Sequence, residues 1–141
     1  MKTDILIIGG GQAGAMTAIA LRQKKYKGSI TIIGEEEYLP YQRPPLSKNF
    51  LAGISSTKNL YLKSSAYYEK NQIEILLKNS VIDINRENKN IELKDGSKFY
   101  YKKLVIAVGS KLNILDIHCD KKDIYYLKTI NDAIKIRSLL D

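Results

Sequence analysis

Cysteine, histidine and tryptophan are almost absent from this sequence. It contains one cysteine, Cys119, one histidine, His118, and no tryptophan. A single cysteine excludes an intrachain disulfide and a CxxC redox or zinc motif. One neighbouring histidine is too few for a His/Cys metal cluster, so we expect no metal site. We interpret the pair as a partly buried thiol beside a surface imidazole.

Long apolar runs are also missing. No stretch approaches the roughly 20 consecutive apolar residues that span a bilayer. The apolar run at residues 5–8 is short, follows Asp4 and ends in glycines, unlike a signal peptide. With 141 residues, 44% of them apolar and 27% charged, the chain has the composition of one folded domain. These features predict a soluble, cytoplasmic protein that does not bind a membrane.

The net charge of +8 comes mainly from lysines scattered along the whole chain. A nucleic-acid-binding protein concentrates such charge on one face and interleaves aromatic side chains, and this sequence has no motif of that kind. We therefore expect no nucleic-acid partner. The charge can still attract an anionic dinucleotide or an acidic protein, because long-range attraction raises encounter rates.

The amino-terminal residues have the pattern of a strand, a glycine turn, a helix and a second strand. Residues 4–8 are apolar and β-branched, which is typical of a buried parallel strand. Residues 15–25 carry small and apolar side chains at helical spacing, and Gly28 is expected to end this helix. Residues 29–33 form a second β-branched run. Together they predict a βαβ unit with parallel strands and a right-handed crossover.

The middle of the chain begins with a proline-containing segment. Residues 35–48 carry all three prolines and are expected to form an ordered surface loop. Ser47 is expected to cap a short helix that runs to Leu51 and is closed by Gly53. Further helices are predicted at residues 64–71 and 129–140, and a third strand is predicted at residues 73–77.

Three short β-prone runs, at residues 81–84, 90–93 and 99–101, are separated by turn residues and predict a small antiparallel meander. Residues 104–108 are apolar again and predict another buried parallel strand. The predicted fold class is therefore α/β, with a Rossmann-like βαβ domain, a parallel sheet and an antiparallel β-meander.

A GxGxxG motif made by Gly9, Gly11 and Gly14 connects the first strand to the first helix. Its glycines serve a tight turn, the approach of the backbone to a pyrophosphate, and close packing of the helix on the sheet. The backbone of Gln12 and Ala13 lies within the motif, where unpaired N–H groups of a helix N-terminus face phosphates. The motif follows a predicted strand and begins a predicted helix, which favours a dinucleotide site over a plain glycine turn.

Glu35 follows Gly14 by about 20 residues, at the end of the second predicted strand, where a carboxylate binds ribose hydroxyls. An acidic residue at this point suits an unphosphorylated ribose and disfavours NADP as the ligand of this site. From these residues alone, FAD and NAD both remain open.

The segment LPYQRPPLSK at residues 39–48 resembles the corresponding segment of the ferredoxin reductases that serve bacterial oxygenase and P450 systems, and of the related apoptosis-inducing-factor flavoproteins. In that family the segment crosses the flavin half of FAD, so the resemblance implies FAD as the cofactor. It places Arg43 and Lys48 at the pyrophosphate and isoalloxazine, with Lys48 near the reactive flavin nitrogen as the candidate catalytic residue. A fixed cation there stabilises the anionic reduced flavin. Without the family, ordinary surface cations are an equally good interpretation of both.

The resemblance extends over essentially the whole chain. It implies a backbone contact between Val81 and adenine. Residues 101–109, YKKLVIAVG, resemble a block in which Ala107 and Gly109 approach the cofactor again. The sequence departs from the family at Val108, where threonine is usual, and at Leu112, near which proline is common.

The resemblance also implies what the complete protein does. Residues 1–141 are expected to be the amino-terminal FAD-binding domain, incomplete relative to the family because the NAD(P)H-binding and carboxy-terminal domains are absent. The chain alone is expected to be inactive. The complete enzyme is expected to take a hydride from NAD(P)H, its co-substrate, and to pass single electrons to a ferredoxin-type iron–sulfur protein.

Other functions compete with this interpretation. A disulfide reductase of the same superfamily is disfavoured, because the only cysteine lies far downstream of the flavin loop. Rubredoxin-reductase and nitrite-reductase types share the βαβ unit, although residues 43–48 fit the ferredoxin reductases better. A stand-alone nucleotide-binding or regulatory module without catalysis is the alternative from a different class.

Overall fold

The computed structural model describes residues 1–114, 116 and 124–140, so His118 and Cys119 lie outside the described residues. The chain divides into two compact units. The first comprises Met1–Tyr41 and Leu62–Gly109, and the second comprises Gln42–Tyr61 and Ser110–Asp141. Within the part of the chain that the structure describes, no helix is long and apolar enough to cross a membrane.

The first unit is built on one six-stranded sheet with the order β3-β2-β1-β6-β5-β4. The strands β3, β2, β1 and β6 are parallel, and β5 and β4 are added antiparallel at one side. Their bounds are β1 Lys2–Ile8, β2 Ile30–Ile33, β3 Ile73–Leu76, β4 Val81–Asn85, β5 Asn90–Leu93 and β6 Lys98–Ile106. This topology confirms the predicted mixture of a parallel sheet and an antiparallel meander.

The predicted βαβ unit is formed by β1, helix α1 (Gln12–Gln23) and β2, with Ile5 paired to Ile30 and Ile8 to Ile33. The prediction that Gly28 ends α1 is wrong. The helix ends at Lys24, and Lys25 takes the left-handed conformation with φ 59°. The Tyr26 N–H then donates to the Leu21 carbonyl, which is a Schellman closure made without glycine.

The expectation of two separate strands at residues 99–101 and 104–108 is wrong. Residues 98–106 instead form one continuous strand, β6, in which residues 98–100 pair with β5 and residues 100–106 pair with β1. A nine-residue strand can serve both neighbours because each edge of its backbone makes an independent hydrogen-bonded ladder. The end of the predicted strand is also not buried, since Ile106 is 62% exposed and Val108 is 65% exposed.

Alternate residues of β1 contribute to two apolar clusters, as the period of a strand requires. Ile5 and Ile7 lie in a cluster that includes Ala18 of α1 and Tyr68 of helix α2 (Ser65–Lys70). A second cluster combines β1 and β2 with the meander through the side chains of Leu6, Ile8, Ile33, Ile91, Leu93, Phe99 and Tyr101. The parallel strands are therefore covered on both faces, which is usual for parallel sheets.

Two of the three helices that the sequence predicts outside the βαβ unit form, and each begins at the predicted position. Ser64 accepts a hydrogen bond from the Tyr67 N–H at the start of α2. In the second unit, helix α3 (Ile130–Arg137) starts at Thr129 with a capping box completed by Asp132. Helix α3 is shorter than the predicted 129–140.

The predicted helix from Ser47 to Leu51 does not form. The second unit instead has 3₁₀ helices at Pro44–Ser47 and Thr57–Leu60. After the first of them the backbone hydrogen bonds change spacing, from Ala52 N–H to the Lys48 carbonyl and from Ile54 N–H to the Asn49 carbonyl. No α-helical ladder can propagate through such mixed spacing, and the segment stays a series of turns that includes Gly53 at φ 73°.

Candidate dinucleotide-binding site

Four parallel strands end together at one edge of the first unit. Ile8, Ile33, Ile106 and Leu76 are the last residues of β1, β2, β6 and β3 and lie in register. The residues that follow these strands are linked by backbone hydrogen bonds of 2.8 Å. The N–H groups of Gly9, Ala107 and Gly34 donate to the carbonyl oxygens of Ile33, Ile8 and Leu76, respectively. Because β1 continues through α1 to β2 on one side and pairs with β6 on the other, this edge is a topological switch point, where open α/β sheets bind ligands.

Two glycines of the GxGxxG motif are required by the fold itself. Gly9 has φ 117°, and a Cβ there would lie 2.2 Å from the Ala107 carbonyl oxygen. A Cβ on Gly14 would lie 2.1 Å from the Gly9 carbonyl oxygen and 3.2 Å from Cγ2 of Ile7. Their absent side chains therefore allow the turn to close and α1 to pack directly on β1.

Gly11 differs from both because neither its backbone conformation nor its surroundings among the described residues require glycine. Its φ is −84°, which any residue adopts, and a Cβ would meet nothing within 4 Å. It is the N-cap of α1, whose first turn has no side-chain cap and no acidic residue. Gln12 and Ala13 are exposed beside it. The open space and the uncapped, positive helix N-terminus together form a cradle that fits a pyrophosphate.

Glu35 reaches the same edge through a second close approach of the backbone. A Cβ on Gly10 would lie 3.1 Å from the Gly34 Cα, so two glycines let the β1 and β2 turns meet. Glu35 follows directly and is exposed. Its Oε1 accepts a hydrogen bond from the Ser80 hydroxyl at 3.1 Å. The structure thus brings the glycine turn and the loop that carries the predicted ribose-binding carboxylate together, which the sequence spacing predicts.

Ser80 is a residue of this edge that the sequence motifs do not predict. Its only signal in the sequence was its position directly before Val81, which the family resemblance singled out. Val81 is the half-buried first residue of β4. A groove of about 290 Å³ lies alongside, lined by Lys78, Asn79, Ser80, Lys94 and Asp95.

The other site residues predicted in the first unit follow β6. Ala107 is half-buried and bonded to the end of β1, while Gly109 is exposed with φ 72°, a conformation that favours glycine. Val108, which departs from the family, lies between them with its side chain exposed. The departure from the family therefore falls on an exposed side chain.

Arg43 and Lys48 belong to the second unit. Arg43 donates from Nη1 to the Lys128 carbonyl at 2.6 Å. It lines a groove of about 210 Å³ with Leu46, Ser47, Leu127 and Lys128. Lys48 is exposed. The roles of both at the pyrophosphate and flavin stay predictions.

Asp132 places a negative charge next to Lys128 and near Arg43, two residues that line this groove. Burial raises the pKa of its carboxyl. Hydrogen bonds from Thr129 and from the Lys128 N–H, together with the charge of the nearby Arg43, lower this pKa by more than burial raises it, so the net pKa lies below the ordinary value. The same carboxylate completes the capping box of α3. Arg43 is therefore held in a network that joins the proline segment to the start of α3 within this unit.

The sequence matches the pyridine nucleotide-disulphide oxidoreductase family over residues 3–141. It is 36% identical over 137 residues to a rubredoxin-NAD(+) reductase of Pseudomonas putida, covering 96% of this chain and 36% of that protein. It is 38% identical over 140 residues to the ferredoxin–NAD(+) reductase component of the p-cumate 2,3-dioxygenase system of Pseudomonas putida, covering 99% of this chain and 35% of that protein.

Solved structures give the same result. The reductase in a covalent putidaredoxin reductase–putidaredoxin complex superposes with a TM-score of 0.91 at 34% identity, covering 98% of this chain and 34% of that one. NADH:rubredoxin oxidoreductase from Clostridium acetobutylicum gives a TM-score of 0.87 at 37% identity, and the match covers 98% of this chain and 35% of that one. The resemblance to ferredoxin reductases is confirmed, and the chain spans about a third of the length of these relatives.

Proposed function

Because the chain belongs to the pyridine nucleotide-disulphide oxidoreductase family, we propose that it is the amino-terminal FAD-binding part of a cytoplasmic, NAD(P)H-dependent reductase. The complete protein passes electrons to a ferredoxin-type iron–sulfur protein, and the NAD(P)H-binding and carboxy-terminal domains make up the rest of it. The observation that supports the proposal is the open space at Gly11, where a Cβ would meet nothing within 4 Å beside the uncapped N-terminus of α1.

FAD fits the residues at the carboxyl edge of the sheet. The backbone from Gly9 to Gly14 holds the pyrophosphate, since its N–H groups and the helix dipole favour an anion. Glu35 accepts hydrogen bonds from the adenosine ribose, and Val81 contacts adenine through its backbone. The segment at Ala107 and Gly109 approaches the cofactor from the neighbouring strand.

When bound, FAD supplies the redox chemistry, because it accepts a hydride and releases electrons one at a time. The protein residues place the cofactor and set its electrostatic surroundings. By the family resemblance, Arg43 and Lys48 would supply positive charge to the pyrophosphate and the isoalloxazine, and Lys48 would set the electrostatics of the reactive flavin nitrogen. None of these residues has to transfer a proton.

The names of the relatives support two kinds of electron acceptor. Some are ferredoxin–NAD(+) reductases, and others are rubredoxin-NAD(+) reductases. We propose a ferredoxin-type partner because residues 43–48 resemble the ferredoxin reductases. Rubredoxin is the second candidate, because rubredoxin reductases match at similar identity. Steady-state reduction of a ferredoxin and of a rubredoxin by the full-length protein separates the two.

The experiment that tests cofactor binding replaces Glu35 by alanine in the full-length protein. Hydrogen bonds to a charged group contribute about 1.5–3 kcal/mol, so we expect FAD to bind roughly 10- to 100-fold more weakly. The matched control is Glu87→Ala, which removes an exposed glutamate from the turn between β4 and β5. The flavin-to-protein ratio after dialysis reports the difference. An unchanged ratio in Glu35→Ala would refute the assignment of this residue.

A further inference from the structure

Ser80 lies where two loops of the first unit meet. It is between the end of β3 and the start of β4, and its hydroxyl donates to Oε1 of Glu35 at 3.1 Å. The two residues are 45 positions apart in the sequence. A contact between residues so distant requires that the backbone on both sides be held in register.

Backbone hydrogen bonds provide that register. The Asn79 N–H donates to the Gly34 carbonyl at 3.0 Å, and the Lys78 N–H donates to the Glu36 carbonyl at 3.1 Å. These bonds bracket Glu35 on both sides and place Ser80 next to it. On its other side, the Ser80 carbonyl accepts from the Lys94 N–H at 2.9 Å, which ties the residue to the meander.

The bond has a consequence for Glu35. The Glu35 side chain is exposed and has three rotatable torsions, so without a partner it would sample several rotamers, and binding would then have to restrict them. The Ser80 hydroxyl engages one carboxylate oxygen and uses only part of its acceptor capacity. The carboxylate therefore keeps acceptor sites for the two hydroxyls of a ribose while its orientation is fixed.

We propose that Ser80 is a positioning residue that holds Glu35 for recognition of the ribose diol of the bound dinucleotide. The inference rests on the proposed function, since it assumes that Glu35 binds a ribose. It adds that recognition depends on a residue from the β3–β4 connection, and that Ser80 acts on the ligand through Glu35.

The test measures binding of two probes, adenosine diphosphate and 2′-deoxyadenosine diphosphate, to the purified chain by ligand-observed NMR. Ser80→Ala is expected to weaken binding of adenosine diphosphate roughly three- to tenfold. Ser80→Thr, which keeps the hydroxyl, is expected to restore most of the affinity. The matched control is Ser97→Ala, because Ser97 makes an equivalent hydroxyl–carboxylate bond to Asp95 at 2.7 Å in the same unit.

Two comparisons distinguish positioning from a general structural effect. With the 2′-deoxy probe, Ser80→Ala is expected to have a smaller effect, because one of the hydroxyls that Glu35 would bind is missing. In a Glu35→Ala background, Ser80→Ala is expected to have no additional effect on either probe. An additive loss in the double variant, or an equal loss for both probes, would overturn the inference.

The outcomes also separate this inference from the proposed function. If Glu35→Ala weakens binding of adenosine diphosphate and Ser80→Ala does not, the positioning role is wrong and the dinucleotide site stands. If the unmodified chain binds neither adenosine diphosphate nor FAD at millimolar concentration, both are wrong.

Discussion

Alanine at Gly14 is expected to act mainly on stability and alanine at Gly11 mainly on cofactor binding, and this contrast follows directly from the geometry. A Cβ on Gly14 would lie 2.1 Å from the Gly9 carbonyl oxygen, well inside contact distance. The atom it meets is backbone, so α1 has to move away from β1. Overpacking of this kind costs about 1–3 kcal/mol, and we expect the upper end because no flexible side chain can give way.

Gly11→Ala adds a Cβ that meets nothing within 4 Å at a backbone φ of −84°. The only expected cost is the poorer performance of alanine as an N-cap, about 1 kcal/mol. The added methyl group occupies the space through which a pyrophosphate approaches the N–H groups of α1. We therefore expect FAD to bind at least about tenfold more weakly, which corresponds to about 1.4 kcal/mol.

Urea unfolding followed by circular dichroism gives the stabilities, and FAD titration in the full-length protein gives the affinities. The expected result is that Gly14→Ala loses clearly more stability than Gly11→Ala, while Gly11→Ala folds and loses FAD. If Gly11→Ala bound FAD as well as the unmodified protein, the assignment of the cradle to a pyrophosphate would be refuted. Equal destabilisation by both substitutions would contradict the packing argument.

Three further predictions concern other parts of the molecule. The hydroxyl of Tyr68 is buried with no hydrogen-bond partner among the described residues, and burial raises its pKa to about 12. Because Tyr68→Phe removes this unpaired polar group, we expect it to raise the free energy of unfolding by about 1 kcal/mol. A clear decrease in the free energy of unfolding, measured with urea, would contradict this. Lys102 and Ser29 lower the pKa of Asp4 to about 2 from its ordinary 3.8. Its contribution to stability is therefore complete above about pH 4 and is lost as the pH falls towards about 2, and Asp4→Asn should flatten this part of the pH profile of urea midpoints. The purified 141-residue chain is expected to bind FAD weakly and not to reduce a ferredoxin with NADH; sustained turnover with stoichiometric FAD would contradict its assignment as one part of the enzyme.

Local patterns in the sequence were sufficient to predict the βαβ unit, because each of its parts has a signal of its own. Strands β1 and β2 are short β-branched runs, and the glycine spacing marks the turn between β1 and α1. The meander was predicted from its turns for the same reason. The position of Glu35 was predicted from its distance in sequence to the glycine motif, which does not depend on its contact with Ser80.

The errors arose where a tertiary contact decided the structure. Lys25 closes α1 in a left-handed conformation, and Gly28 lies beyond the helix end, where a Cβ would lie 2.4 Å from the Tyr26 hydroxyl and 2.7 Å from the Asp4 carboxylate, two side-chain ends that can move aside. Strand β6 is continuous because β1 pairs with it from Tyr100 to Ile106, across the residues between the two predicted runs, and short apolar runs do not reveal such pairing. Ser80 was missed because its partner, Glu35, lies in a different loop.

The central claim is that a dinucleotide binds at the carboxyl edge of the parallel strands, in the cradle of Gly11 and beside Glu35. The most direct measurement is a titration of the ¹⁵N-labelled chain with FAD, followed by backbone amide chemical shifts. The account predicts that the largest shift changes fall on Gly9 to Gly14 and on the segments around Glu35 and Ser80. Largest changes elsewhere in the chain, or no changes at millimolar FAD, would contradict it.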